Sequence, residues 1–128
     1  MNLLLDTCTF LWIITGDAAI GPRVRAAISA PGAEIYLSAA SAWEIALKNE
    51  SGRLPLPAAP SEFVPLMRQR YGIEPLPIDE ESSLHIAKLP VLHRDPFDRM
   101  LVSQAIVHGL TIVTPDPLIG QYPARTLW

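Results

Sequence analysis

Residues 94–116 read RDPFDRMLVSQAIVHGLTIVTPD, and the fold follows from this stretch. It opens with acids at Asp95 and Asp98 around Pro96. An apolar helical run from Met100 to Val107 comes next, closed by Gly109. A short β-branched run, Leu110 to Thr114, leads to a last acid, Asp116. A helix packed on a sheet and joined by a short turn runs antiparallel to the strand that follows it. The helix start and the strand end then lie at the same edge. A helix over Asp98–His108 rises roughly 16 Å, and a strand over Leu110–Thr114 returns about the same distance. Asp98 and Asp116 are therefore expected close in space. Facing carboxylates repel unless a cation lies between them, so the stretch also hints at a metal site.

The N-terminal half has the same grammar. Asn2 to Asp6 is an unbroken apolar run ending in an acid, which suits a parallel strand buried on both faces. Asp6 is equally suited to cap the next helix. That helix covers Thr9 to Ile14 and breaks at Gly16-Asp17, and Pro22 starts a second one through Ala30. Glu34–Ser38 (EIYLS) is a second strand, followed by a helix from Ala39 or Ala40 to about Glu50. Trp43, Ala46 and Leu47 lie on one broad side of this helix, with Ile45 beside them. Glu44 sits early in it, near the edge where the second strand ends. It also precedes Lys48 by four residues, in the order that favours a surface ion pair.

Residues 53–60 (RLPLPAAP) are too short and too apolar for a flexible linker and are expected to form an ordered connection. Ser61–Tyr71 is a helix with Phe63, Val64, Leu66 and Met67 facing inward, and Arg68 and Arg70 at the end that favours cations. The prolines of Ile73–Ile78 (IEPLPI) allow an edge strand at best. A helix starts at Asp79 or Glu80 and ends at Leu89-Pro90. Pro117–Gln121 forms a helical turn or two, and Arg125–Trp128 adds a last strand. This alternation predicts an α/β fold, a three-layer sandwich with a central, mostly parallel sheet, built as one domain over residues 1–128. Ligands of such sheets bind beyond the carboxyl ends of the strands.

Composition narrows the chemistry. Hydrophobic residues make up 49% of the 128, enough for a core. No apolar run is long enough to span a membrane, and Leu3–Leu5 is too short for a signal-peptide core, so a cytoplasmic, soluble protein is expected. The single cysteine, Cys8, excludes a disulfide framework and a cysteine-based zinc site. A helix N-terminus could activate Cys8, but no histidine partner accompanies it, and a packing role is expected. His85, His93 and His108 have no metal-ligand spacing. The net charge of −3 argues only weakly against nucleic acid, because carboxylates that hold a metal are neutralised. There is no glycine-rich phosphate loop, no dinucleotide fingerprint and no nucleophile elbow.

On this framework Asp6, Glu44, Asp98 and Asp116 all converge on the carboxyl edge of one sheet. Oxygen ligands without histidine or cysteine suit a hard cation, Mg²⁺ or Mn²⁺. One or two such ions could activate a water and stabilise charge on a phosphoryl oxygen. Thr7 and Thr114 flank the site, as caps or as bonding partners of a carboxylate, a water or a phosphate. Lys48, Arg94 and Arg99 are candidates for phosphate contacts.

The segments LLLDT (3–7), SAASAWEIALK (38–48), HRDPFDRMLVSQA (93–105) and GLTIVTPD (109–116) together resemble the PIN-domain proteins, specifically the VapC-type toxins of bacterial toxin–antitoxin pairs. The resemblance spans essentially the whole chain. It implies a metal-dependent ribonuclease with a central parallel sheet, whose acidic quartet falls on Asp6, Glu44, Asp98 and Asp116. Asp6 and Asp98 would be the chief metal ligands. Glu44 and Asp116 would bind the metal directly or through water, and Thr114 matches the hydroxyl residue before the last acid. Asp98 is favoured over Asp95 as the third acid, leaving Asp95 as a helix cap or a supporting group. The resemblance further implies a homodimer and a small VapB-like antitoxin that occupies the groove. Trp12, Ile13 and the Phe63–Met67 helix either serve that contact or belong to the core. Two other functions compete. A phosphatase of the haloacid dehalogenase type also starts with a strand ending in Asp, but needs a second Asp where this chain has Cys8. A catalytically silent module that binds protein or RNA would not need four acids at one edge.

Overall fold

A computed structural model describes residues 1–128. The elements in chain order are β1 (Asn2–Leu5), α1 (Thr7–Thr15), α2 (Pro22–Ser29), β2 (Glu34–Ser38), α3 (Ala39–Glu50), α4 (Pro60–Arg70), β3 (Glu74–Leu76), α5 (Glu80–His85) with a 3-10 turn (Ile86–Lys88), α6 (Pro96–His108), β4 (Thr111–Val113), α7 (Pro117–Gly120) and β5 (Thr126–Leu127). The five strands form one sheet in the order β3-β2-β1-β4-β5, with every pair parallel.

β1 is the middle strand, and Leu3, Leu4 and Leu5 are all fully buried. Successive side chains of a strand point to opposite faces, and the core divides accordingly. Leu3 and Leu5 pack with Phe10 of α1, Val24 of α2, Ile45 of α3 and Phe63 of α4. Leu4 packs with Leu101, Val102 and Ala105 of α6 and Ile119 of α7. Helices on both faces of a parallel sheet make three layers. The prolines of β3 are tolerated because that strand is at the edge. From β1 the chain builds outward through β2 and β3, then returns to lay β4 on the other side of β1. The crevice at this reversal, beyond the carboxyl ends of β1 and β4, is where such folds bind ligands.

The structure corrects two expectations. α6 begins at Pro96, ahead of Asp98, because Asp95 caps it. Asp95 Oδ1 accepts from the backbone N–H groups of Phe97 (2.9 Å) and Asp98 (3.2 Å), and Pro96 fits the first helical position, where no N–H is needed. Asp95→Ala is expected to cost about 1 kcal/mol of stability and Asp95→Asn much less, since Asn caps as well as Asp; urea unfolding of the two variants measures this.

Second, Leu66 is exposed, whereas Phe63 and Val64 are buried and Met67 packs against the core. Positions 63, 64 and 67 share one helical stripe, and 66 stands off it. In α3 the buried residues are Ala40, Ser41, Glu44 and Ile45, and the two polar ones bond to Thr7 of α1. Trp43 and Leu47, on the broad apolar side, are 56% and 40% exposed.

Candidate active site

Asp6 follows β1 directly and has two roles. Its Oδ1 accepts from Thr9 N–H at 2.8 Å, capping α1, and its Oδ2 accepts from the Thr114 hydroxyl. Thr114 follows β4, and its hydroxyl oxygen also accepts from Asp116 N–H at 3.0 Å. Asp116 in turn caps α7 through Oδ1 to Leu118 N–H at 2.9 Å. One hydroxyl thus links the acids at the ends of the two adjacent strands. Glu44 arrives from α3, where Thr7 donates to its Oε1 at 2.6 Å and Lys48 Nζ lies 2.6 Å from its Oε2. The pairing with Lys48 and the placement among the acids hold together.

One cavity of about 220 Å³ is lined by Asp6, Glu44, Asp98 and Asp116, together with Asp95, Thr7, Cys8 and Lys48. All four sequence-predicted acids reach it, and so does the capping acid Asp95. A larger cavity of about 490 Å³ lies between α3, α4 and β3, with Arg68 as its one charged lining residue. The smaller cavity holds the titratable groups and is the candidate site.

Burial, hydrogen bonding and neighbouring charge all act on the titration of its members. Burial pushes the Asp98 carboxyl up to about 6, and the charges of Asp95, Asp116 and Glu44 push the same way against the opposing His93 hydrogen bond. The Lys48 ammonium is held above its ordinary value chiefly by its hydrogen bond to Glu44. Cys8 is exposed at the cavity rather than packed in the core, which corrects the expectation for it. Partial burial, then the charges of Asp6 and Glu44, raise its thiol, so it is also not an activated thiolate.

The basic candidates separate. Lys48 lines the cavity, while Arg94 is exposed and not part of the lining. Arg99 is no free phosphate contact: its guanidinium donates to the carbonyls of Pro90 (2.9 Å) and Ile86 (3.3 Å) and to the Tyr122 hydroxyl (3.0 Å). Absence of metal-ligand spacing hid His93, whose Nε2 lies 3.2 Å from Asp98 Oδ2. Its place five residues before Asp98 was the available signal.

No group of three His, Cys, Asp or Glu side chains stands close enough to hold a metal ion as placed. The donor chemistry nevertheless fits a hard divalent cation, with carboxylate oxygens from five acids around one small cavity. Asp98 Oδ1 and Asp116 Oδ2 have no hydrogen-bond partner in the protein. The raised Asp98 carboxyl marks a place where added positive charge is favourable.

The family model for the PIN domain matches residues 3–123. The chain belongs to the PIN domain family. Part of this PIN domain is similar to ribonuclease VapC16 of Mycobacterium tuberculosis, 41% identical over 63 residues. That match spans 49% of this chain and 45% of the relative, less than half of each. In fold, the PIN domain resembles a chain of VapBC2 from Rickettsia felis, solved bound to a DNA fragment from their promoter, with a TM-score of 0.73 and 15% identity over 99% of this chain and 98% of that one. It also resembles a chain of the DNA-bound VapBC from Salmonella typhimurium, with a TM-score of 0.67 and 18% identity over 99% and 97% of the two chains. No helix of this PIN domain is long and apolar enough to cross a membrane.

Proposed function

We propose that this PIN domain is a metal-dependent endoribonuclease toxin that hydrolyses RNA phosphodiester bonds and is held inactive by a cognate antitoxin. The observation that carries this reading is the meeting of Asp6, Glu44, Asp98 and Asp116 in one cavity at the carboxyl edge of the sheet. They come from four separate places in the chain, and a packed core does not require charge there. The partial relative named as a ribonuclease supports the choice of reaction. Solved chains of the same fold from VapBC of Rickettsia felis and Salmonella typhimurium, and from a toxin–antitoxin complex of Klebsiella pneumoniae, support the choice of partner.

In this reading Asp6 and Asp98 are the chief ligands of Mg²⁺ or Mn²⁺, and Glu44 and Asp116 complete the set directly or through water. A bound divalent ion would supply Lewis acidity and charge compensation for attack of water on phosphorus. The chain's own groups prepare the place. Thr114 holds the Asp6 carboxylate and the backbone before Asp116 in fixed relation. Thr7 fixes one oxygen of Glu44. Lys48 pairs with the other oxygen and, in this reading, would contact a phosphate. The exposed Leu66 of α4 and the apolar cavity beside that helix suit an antitoxin or a second copy of the chain. The reading places the protein in the cytoplasm, with its RNA.

The test is cleavage of total RNA by purified, antitoxin-free protein with Mn²⁺, with Mg²⁺ and with EDTA, beside thermal melting in the same buffers. Expected are cleavage that EDTA abolishes and a metal-dependent rise in melting temperature, with stabilisation of about 2.7 kcal/mol at a hundredfold excess over Kd. Cleavage unchanged in EDTA overturns the metal reading. A folded protein that neither cleaves nor responds to either ion is the silent binding module.

A further inference from the structure

His93 ties Asp98 to the packed core through a chain of hydrogen bonds with a fixed direction. Its Nε2 lies 3.2 Å from Asp98 Oδ2, and its Nδ1 lies 2.7 Å from the Tyr122 hydroxyl. The same hydroxyl oxygen is 3.0 Å from Arg99 Nη1. Which nitrogen of His93 carries the proton follows from this arrangement. Arginine only donates, so the Tyr122 oxygen accepts from Arg99. Tyr122 is 3% exposed, and its own hydroxyl proton has His93 Nδ1 as its one acceptor within reach. A buried hydroxyl proton left without an acceptor is costly. Nδ1 is therefore the bare nitrogen, and the neutral ring carries its proton on Nε2, facing the Asp98 carboxylate. Arg99 cannot reverse the chain, because a guanidinium offers no acceptor to the Tyr122 hydroxyl.

We propose that Arg99, Tyr122 and His93 form a one-way hydrogen-bond relay, in which His93 is a positioning residue that commits Asp98 Oδ2 to the imidazole and leaves Oδ1 for the cation. Its role in cation binding rests on the reading of Asp98 as a ligand; the direction of the relay does not. The arrangement repeats what metal sites commonly need, an orienting partner behind the ligand. Here the partner stands behind a carboxylate, and the buried tyrosine and the acceptor-only carboxylate demand the same tautomer of it. His93 links Asp98, in the first turn of α6, with Tyr122, which packs with Leu101, Leu110 and Ile119 in the core on that face.

Two measurements test this. The first is the ring ¹⁵N spectrum of the metal-free protein at about pH 8, where a histidine is neutral. The expected result is an unprotonated Nδ1 and a protonated Nε2 at His93, kept in Tyr122→Phe, where the Asp98 carboxylate still accepts from Nε2. A proton on Nδ1 in the unmodified protein overturns the relay. The second is calorimetric titration with Mn²⁺. His93→Leu is expected to weaken binding about 10- to 100-fold. His93→Gln, whose side-chain amide can donate to Asp98, is expected to recover most of the affinity. Melting curves establish that both variants are folded, and Tyr122→Phe gives an independent variant should His93→Leu not fold. Wild-type affinity in both His93→Leu and Tyr122→Phe overturns the positioning role. If the unmodified protein binds no Mn²⁺, the reading of the acids as ligands falls and the positioning role falls with it, while the ring spectrum still decides the relay.

Discussion

Asp6→Asn is expected to lower metal-supported RNA cleavage by about 1000-fold or more while the domain stays folded. The estimate takes several kcal/mol of lost charge stabilisation at about 1.4 kcal/mol per decade of rate. Folding survives because Asn retains an oxygen for Thr9 N–H, the 2.8 Å bond that caps α1. The substitution removes one negative charge from the cavity and the charged acceptor of the Thr114 hydroxyl. Asp6→Ala would remove the cap as well, at a further cost of about 1 kcal/mol, so Asn is the informative change. The measurement is kcat/KM on one defined RNA at fixed Mn²⁺, with a melting curve for each protein. A variant within a few-fold of the unmodified protein would remove Asp6 from the site.

Asp98→Asn is expected to be inactive too, yet more stable than the unmodified protein in metal-free neutral buffer. The Asp98 carboxyl titrates at about 6 in the folded protein, raised from 3.8. The folded state thus binds its proton more tightly than the unfolded state does. The associated stability is fully present below the unfolded value and is lost as pH rises through about 6. Asn mimics the protonated form at every pH and keeps an oxygen for His93. The two proteins should match near pH 4, and the variant should lead above pH 7 by roughly 1–3 kcal/mol, the upper limit being reduced by solvent screening. Urea unfolding in EDTA at several pH values reads this directly. A difference that does not change with pH would contradict the account of Asp98 as raised by burial and by its acidic neighbours. Adding Mn²⁺ should narrow or reverse the gap, since only the carboxylate gains from the ion.

Several features were legible because their causes are local. An apolar run with no alternation, Leu3 to Leu5, belongs to a strand covered on both faces, and β1 is the middle strand of the sheet. Proline spacing in residues 73–78 put that segment at an edge, where β3 lies. The acids stand next to strand ends or near helix starts, and parallel strands bring all those places to one side. Helical periodicity was less informative in α3. Apolar character there gathers Trp43 and Leu47 on one broad side, yet both are exposed, while Ser41 and Glu44 are buried and Thr7 bonds to both.

What the sequence by itself determined is the alternation of elements, the buried central strand and the shared edge of the acids, all of which follow from patterns within one element or across one short turn. The tertiary structure alone decided which polar groups are partnered. Tyr122 meets His93 across 29 residues, and Thr114 meets Asp6 across 108. Those meetings hold Arg99 away from the cavity and place His93 behind Asp98. Packing between layers brings Cys8 to the cavity rather than the core. Propensity and periodicity describe how a segment folds against its own backbone; they carry no information about which distant side chain fills the space beside it, and hydrogen-bond direction is set only once that space is filled.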